Sequence, residues 1–157
     1  MTEQTQINTD FNLENEYKPD PLIPQGNYLG SITGISYNPE NYGLTFTVTL
    51  SDNGGFMSDG ETPIDGGRVF KRVWFPRPGD ESTMTADGRK TKRQSKINML
   101  KDFADAMELD MGTTDKLQEA MENGDWIGIP VTVAVEISEY QGNVRNDVGR
   151  MVRQKEE

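Results

Sequence analysis

The chain has 157 residues, a net charge of −10 and 33% hydrophobic residues, and it contains neither cysteine nor histidine. That length supports one core with tails, and the low apolar share places part of the chain outside the core. The missing cysteines exclude a disulfide framework and a thiolate metal site, and the missing histidines exclude Ser-His and Cys-His nucleophile pairs.

Residues 1–25 are polar and acidic and hold Pro19, Pro21 and Pro24, so they read as a mobile N-terminal arm. Phe11, Leu13 and Tyr17 are its candidates for docking. The first residues have no basic and apolar regions of a signal peptide, and no apolar run approaches the ~18 residues of a membrane span. Gly26–Tyr37 predicts a first strand. Gly30 and Gly34 interrupt it, and its alternation breaks between Leu29 and Ile32, which predicts a bulge there. After a turn at Asn38–Asn41, Tyr42–Leu50 predicts an antiparallel partner. Leu44, Phe46, Val48 and Leu50 share one face, and Thr45, Thr47 and Thr49 the other. Ser51–Asp65 is a Gly/Asp-rich loop without EF-hand spacing, so no metal site is assigned.

The stretch from Gly66 to Pro78 opens on two glycines and closes on two prolines around β-branched and aromatic residues. As a strand it puts Val69, Lys71, Val73 and Phe75 on one face and Phe70, Arg72 and Trp74 on the other. Same-face side chains lie roughly 7 Å apart along a strand. The second face can therefore offer two aromatic rings to unstacked bases with a guanidinium between them. The opposite assignment, with both rings in the core and Arg72 at an edge, is equally open from this stretch alone. The surrounding charge favours the first. Between Gly66 and Lys96 nine basic residues face three acids, a net of +6, whereas the remainder nets −16. Local field rather than total charge decides whether a polyanion is attracted.

A loop follows from Gly79 to about Thr91, and then a helix over Lys92–Leu109 with Ile97, Leu100, Phe103, Ala104 and Met107 as its apolar stripe. Lys92, Arg93 and Lys96 stand near its N-terminus, the end that disfavours cations. Thr113 or Thr114 caps a second short helix closed by Asn123-Gly124, and Met99, Met107, Met111 and Met121 read as core filler. Ile127–Ile137 is the strongest strand, with isoleucine and valine at every second position. Tyr140–Asn143 turns the chain into a last strand over Val144–Val152. Residues 26–152 thus form one domain, mainly β with a helical insertion between strands three and four, and 153–157 form a polar stub. Five strands so arranged match the OB-fold, a five-stranded Greek-key barrel.

Over residues 22–152 the layout resembles the phage-encoded OB-fold single-stranded DNA-binding proteins. The matching pieces are Pro24-Gln25-Gly26-Asn27-Tyr28, the threonine-rich second strand and the Gly-Gly-Arg-Val-Phe opening of the third. To these are added the apolar strand after Trp126-Ile127-Gly128, and Glu139-Tyr140-Gln141-Gly142-Asn143 followed by Asn146. The resemblance implies non-catalytic binding of single-stranded DNA in phage DNA replication or recombination, in the cytoplasm of the infected host. It implies no cofactor, and replication or recombination proteins as partners. A homodimer is compatible with it. Many proteins of that family end in an acidic tip closed by an aromatic residue, which recruits other replication proteins, whereas this chain ends Arg-Gln-Lys-Glu-Glu.

On this layout Phe70, Arg72 and Trp74 form the platform. Arg68, Lys71, Arg77, Arg89, Lys90, Lys92 and Arg93 supply positive charge around it, and Tyr37, Tyr42 and Tyr140 add stacking from loops. Tyr37 and Tyr42 also read as a cross-strand pair, and Tyr140 as a turn residue. Two other classes are weighed against this reading. One is a structural or interaction protein of a virion, which suits the acidic surface and the arm. The other is a metal-dependent nuclease, for which Glu136, Glu139 and Asp147 form no recognised spacing.

Overall fold

In the computed structural model residues 5–155 are described, so the first four residues of the arm and the last two of the stub lie outside the described residues. The fold is mainly β, with one five-stranded antiparallel sheet and two substantial helices. Its strands are β1 (Gly26–Asn38), β2 (Gly43–Leu50), β3 (Arg68–Trp74), β4 (Pro130–Tyr140) and β5 (Asn143–Arg153), ordered β3-β2-β1-β4-β5. A one-turn helix α1 (Leu13–Glu16) lies in the arm, and α2 (Lys92–Met107) and α3 (Thr114–Asn123) lie between β3 and β4. Among the described residues no helix is long and apolar enough to cross a membrane.

Each sequence period produces its element. The valines, isoleucines and leucines alternating along β1, β2, β3 and β4 bury one sheet face, with Ile32, Leu44, Phe46, Val48, Val131 and Val133 fully enclosed. α2 starts at Thr91, whose hydroxyl accepts from Gln94 N–H, and lays Phe103, Ala104 and Met107 against that face. α3 starts in the same way at Thr113 and stops at Gly124. Trp126, buried in the turn before β4, stacks on Phe46 at 6.0 Å, and Phe103 meets the same ring at 5.2 Å.

Several details depart from the sequence reading. The expected closed Greek-key barrel is not formed, because no ladder joins β3 to β5. The two free edges face each other, and Lys71 Nζ donates across to the Gly149 carbonyl at 3.1 Å. Gly149 is the extra residue of a bulge in β5, since Ala134 pairs with Arg150 and Val135 with Val148. A bulge kinks a strand and breaks its hydrogen-bonding edge, and α2 packs over the opening. In β1 the bulge falls at Thr33, between Ile32 and Gly34, and not between Leu29 and Ile32. Gly30 keeps its register and is there for clearance: a Cβ on it would stand 2.7 Å from the Thr49 carbonyl oxygen. The strongest strand begins at Pro130, not Ile127. Gly128 N–H donates to Ile32 O within a turn that leaves Ile127 exposed. Met99 is exposed rather than core filler.

The arm divides in two. Phe11, Leu13 and Tyr17, the candidates for docking, are exposed. Ile23 is buried, and Asn146 clamps its backbone. Asn146 Oδ1 accepts from Ile23 N–H and Asn146 Nδ2 donates to Ile23 O, each at 2.8 Å.

Candidate nucleic-acid interface

β3 is an edge strand with its valines inward. Val69 and Val73 are buried, and Phe70 and Trp74 stand on the outer face, 51% and 41% exposed, with Arg68 and Arg72 exposed beside them. The hydrophobic effect selects this orientation, since the valines meet the core while, among the described residues, no apolar layer covers the outer face. The register builds the floor next to the rings. On β2, Thr49 faces Arg68, Thr47 faces Phe70, Thr45 faces Arg72 and Gly43 faces Trp74. On β1 the same rows continue with Ser31, Gly34, Ser36 and Asn38. The indole lies across Gly43, where a Cβ would come within 2.9 Å of Trp74 Cζ3. Thr33 and Thr49 hydroxyls bond each other at 2.9 Å.

The result is a shelf of hydroxyls and glycines carrying two rings and two guanidinium groups. None of the residues of β1, β2 or β3 is Asp or Glu, although the chain holds 26 acids. Neither Arg68 nor Arg72 is in an ion pair among the described residues. Such a surface can stack bases and attract phosphates.

The other expected binding residues are distributed around the molecule. Lys71 points inward on the opposite face from the rings, its ammonium held by Gly149; burial lowers its pKa, and Glu136 opposes the shift. Arg77, in the segment after β3, holds the β1–β2 turn. Its Nη2 donates to Asn41 O at 2.9 Å and its guanidinium sits 5.7 Å from the Tyr42 ring centre. Tyr37 stacks on Phe75 at 5.4 Å, so its aromatic partner is not Tyr42. Tyr37, Tyr42 and Arg93 line a groove of about 810 Å³ against α2 and α3, separate from the shelf. Tyr140 is exposed at the tip of the β4–β5 hairpin, beyond the last β4 residue that pairs with β1.

The loop expected between Gly79 and Thr91 is more ordered than its composition indicates. Met84 bridges Thr91, Thr85 N–H donates to Lys90 O, and Arg89 and Lys90 sit exposed at the tip of this small hairpin. Asp87 tightens the tip, and its pKa is lowered by the Thr85 hydroxyl first and by Arg89 N–H second. Lys96 is not free. It donates to the buried Asp80 at 2.6 Å, and Asp80 also accepts from Arg77 N–H. These bonds, the backbone one foremost, hold the Asp80 pKa below its ordinary value.

Between the β3 and β5 edges and α2 lies a cleft of about 830 Å³. Arg72 and Trp74 reach it from the shelf, Lys92 from α2 and Arg150 from β5. Sequence reasoning missed Arg150, because the register that brings β5 beside β3 is not local. It also gave no role to the threonines of β2, although their alternation already marked an outward face.

No family model and no curated protein matches this chain.

Proposed function

We propose that this protein binds single-stranded nucleic acid without catalysing a reaction and with little sequence preference. One observation carries the reading: an acidic chain keeps β1, β2 and β3 free of carboxylates and equips their outer face with exposed Phe70 and Trp74 and with Arg68 and Arg72, which are in no ion pair among the described residues. Ring stacking is worth about 1–3 kcal/mol per base and uses the π-face that every base has. A duplex hides those faces inside its stack, so single strands are preferred. The strand order, the close approach of β3 to β5 and the helices inserted after β3 support an OB-like architecture with its binding surface over β2 and β3. That layout supports single-stranded DNA as the ligand and replication or recombination as the setting.

The test is titration of a labelled oligonucleotide at two salt concentrations, with the duplex as control. Replacing Arg68 and Arg72 together by alanine reduces the salt slope by about 1.4, from about 0.7 per lost phosphate contact. Equal affinity for single strand and duplex, or an unchanged slope in this variant, removes the reading. The exposed Phe11, Leu13 and Tyr17 of the arm favour a second reading, assembly with copies or partners. Sedimentation with and without residues 1–20 tests it.

A further inference from the structure

We infer that a bound strand does not end on the shelf but turns over the free edge of β3 and enters the cleft between β3, α2 and β5, where Lys92 and Arg150 take its phosphates. This inference rests on the binding function proposed above and extends its site. Continuity is the first argument. Arg72 and Trp74 belong to the shelf by register and also line the cleft, so a strand stacked on Trp74 is already at its mouth. Charge is the second. Arg72, Lys92 and Arg150 are in no ion pair among the described residues, whereas the cleft's fourth and fifth cations are held, Lys96 by Asp80 and Lys71 at Gly149; against these three free cations the lining sets one carboxylate, Asp102. The third argument is shape. The cleft floor is apolar, with Val73, Leu100, Phe103 and Met151, the exposed Met99 stands at its edge, and its volume of about 830 Å³ lies in the range of sites that enclose a small molecule. A base turned inward would meet that floor, with its phosphates outward at the cationic rim. Polarizable methionine thioethers adapt to such flat, variable ligands.

The edge itself permits the passage. Among the described residues β3 has no strand partner on this side; Lys71 bridges the gap to the Gly149 carbonyl and the Glu136 carboxylate packs where a Gly149 side chain would stand, so the passage runs by Arg72 and Trp74 and not over Gly149. The sequence alone hides this route, because Arg150 is 78 residues from Arg72 and lies outside the basic segment.

The experiment uses the full chain with oligothymidylates of about four and about twelve nucleotides, a range that spans the site sizes of such folds. The double variant Lys92→Glu plus Arg150→Glu is expected to bind the short oligomer within twofold of the parent. It should bind the long one at least tenfold more weakly, with a salt slope reduced by about 1.4. A bromouracil in the long oligomer's terminal position should photo-crosslink within 92–103 or 149–151. Equal weakening for both lengths, or none for either, overturns the inference, as does crosslinking only to β1–β3. An acidic peptide as the true occupant would show itself as unchanged binding of the long oligomer in the double variant. Failure of the function proposed above is distinguishable: the parent protein then binds neither oligomer, or binds both without needing Phe70 and Trp74.

Discussion

Trp74→Ala separates a stacking platform from a core residue, and the structure gives both magnitudes. An indole buries about 150–250 Å² when fully covered. With Trp74 41% exposed, about three-fifths is covered, roughly 90–150 Å². At ~25 cal/mol per Å² its removal costs at most about 2–4 kcal/mol of folding stability. A domain with about 5–15 kcal/mol of stability tolerates that loss, with Tm lower by about 5–15 °C. Binding should lose about 1–3 kcal/mol, a factor of about 5–150, for every oligonucleotide sequence alike. Intrinsic fluorescence provides the assay, because the chain has two tryptophans in opposite environments. Trp74 is exposed on the shelf and Trp126 is 5% exposed inside the core. Oligonucleotide addition should quench the emission of the parent protein by stacking on Trp74. In Trp74→Ala only Trp126 emits, and the quench should vanish while circular dichroism stays that of the folded protein. Trp74→Phe should lose the quench but recover most of the affinity. A quench that persists without Trp74, or an affinity that does not change, refutes the platform.

Gly43→Ala should weaken binding several-fold with little loss of Tm, because the new methyl displaces the indole rather than the backbone; titration and a melt check both halves. Asn146→Ala should cost about 1–3 kcal/mol by leaving both polar groups of Ile23 without partners, read by urea denaturation and by faster proteolysis near residues 21–25. Asp80→Asn tests the ion pair with Lys96. The folded-state pKa of Asp80 lies below its ordinary 3.8, so its contribution is present above that value and is lost as pH falls through the lower folded pKa. The parent protein should therefore be the more stable at pH 6, and the gap between the two should narrow toward pH 2, as denaturation curves across that range will show. A gap that is constant with pH removes the charge from the explanation.

Period two grouped the β3 side chains into one face of valines and one of rings, because side chains alternate along a strand, but it left open which face turns inward; the surrounding charge favoured outward rings, and the structure buries Val69 and Val73. The ends of α3 were local too: the letters offered Thr113 or Thr114 at its start and Asn123-Gly124 at its close, and Thr113 and Gly124 take those places through hydrogen bonds within four residues. The charge contrast of the Gly66–Lys96 segment was also plain in the letters. What each cation does was not. Lys96 had to meet Asp80 16 positions away, and Lys71 a carbonyl 78 positions away, before either left the set of free charges. The tyrosines at 37 and 42 went to the helix side because the β1–β2 turn places Phe75 and Arg77 beside them. Gly30 and Gly34 look alike in sequence, yet one clears a neighbouring backbone and the other follows a bulge. Periodicity and capping depend on neighbours along the chain, so the sequence by itself determined the elements, which residues share a face and the aromatic–cationic strip. Edge pairing, the unclosed gap between β3 and β5 and the cleft that Arg150 enters depend on contacts between distant segments. Only the tertiary structure decided those, because register between strands is settled by the packing of the whole core.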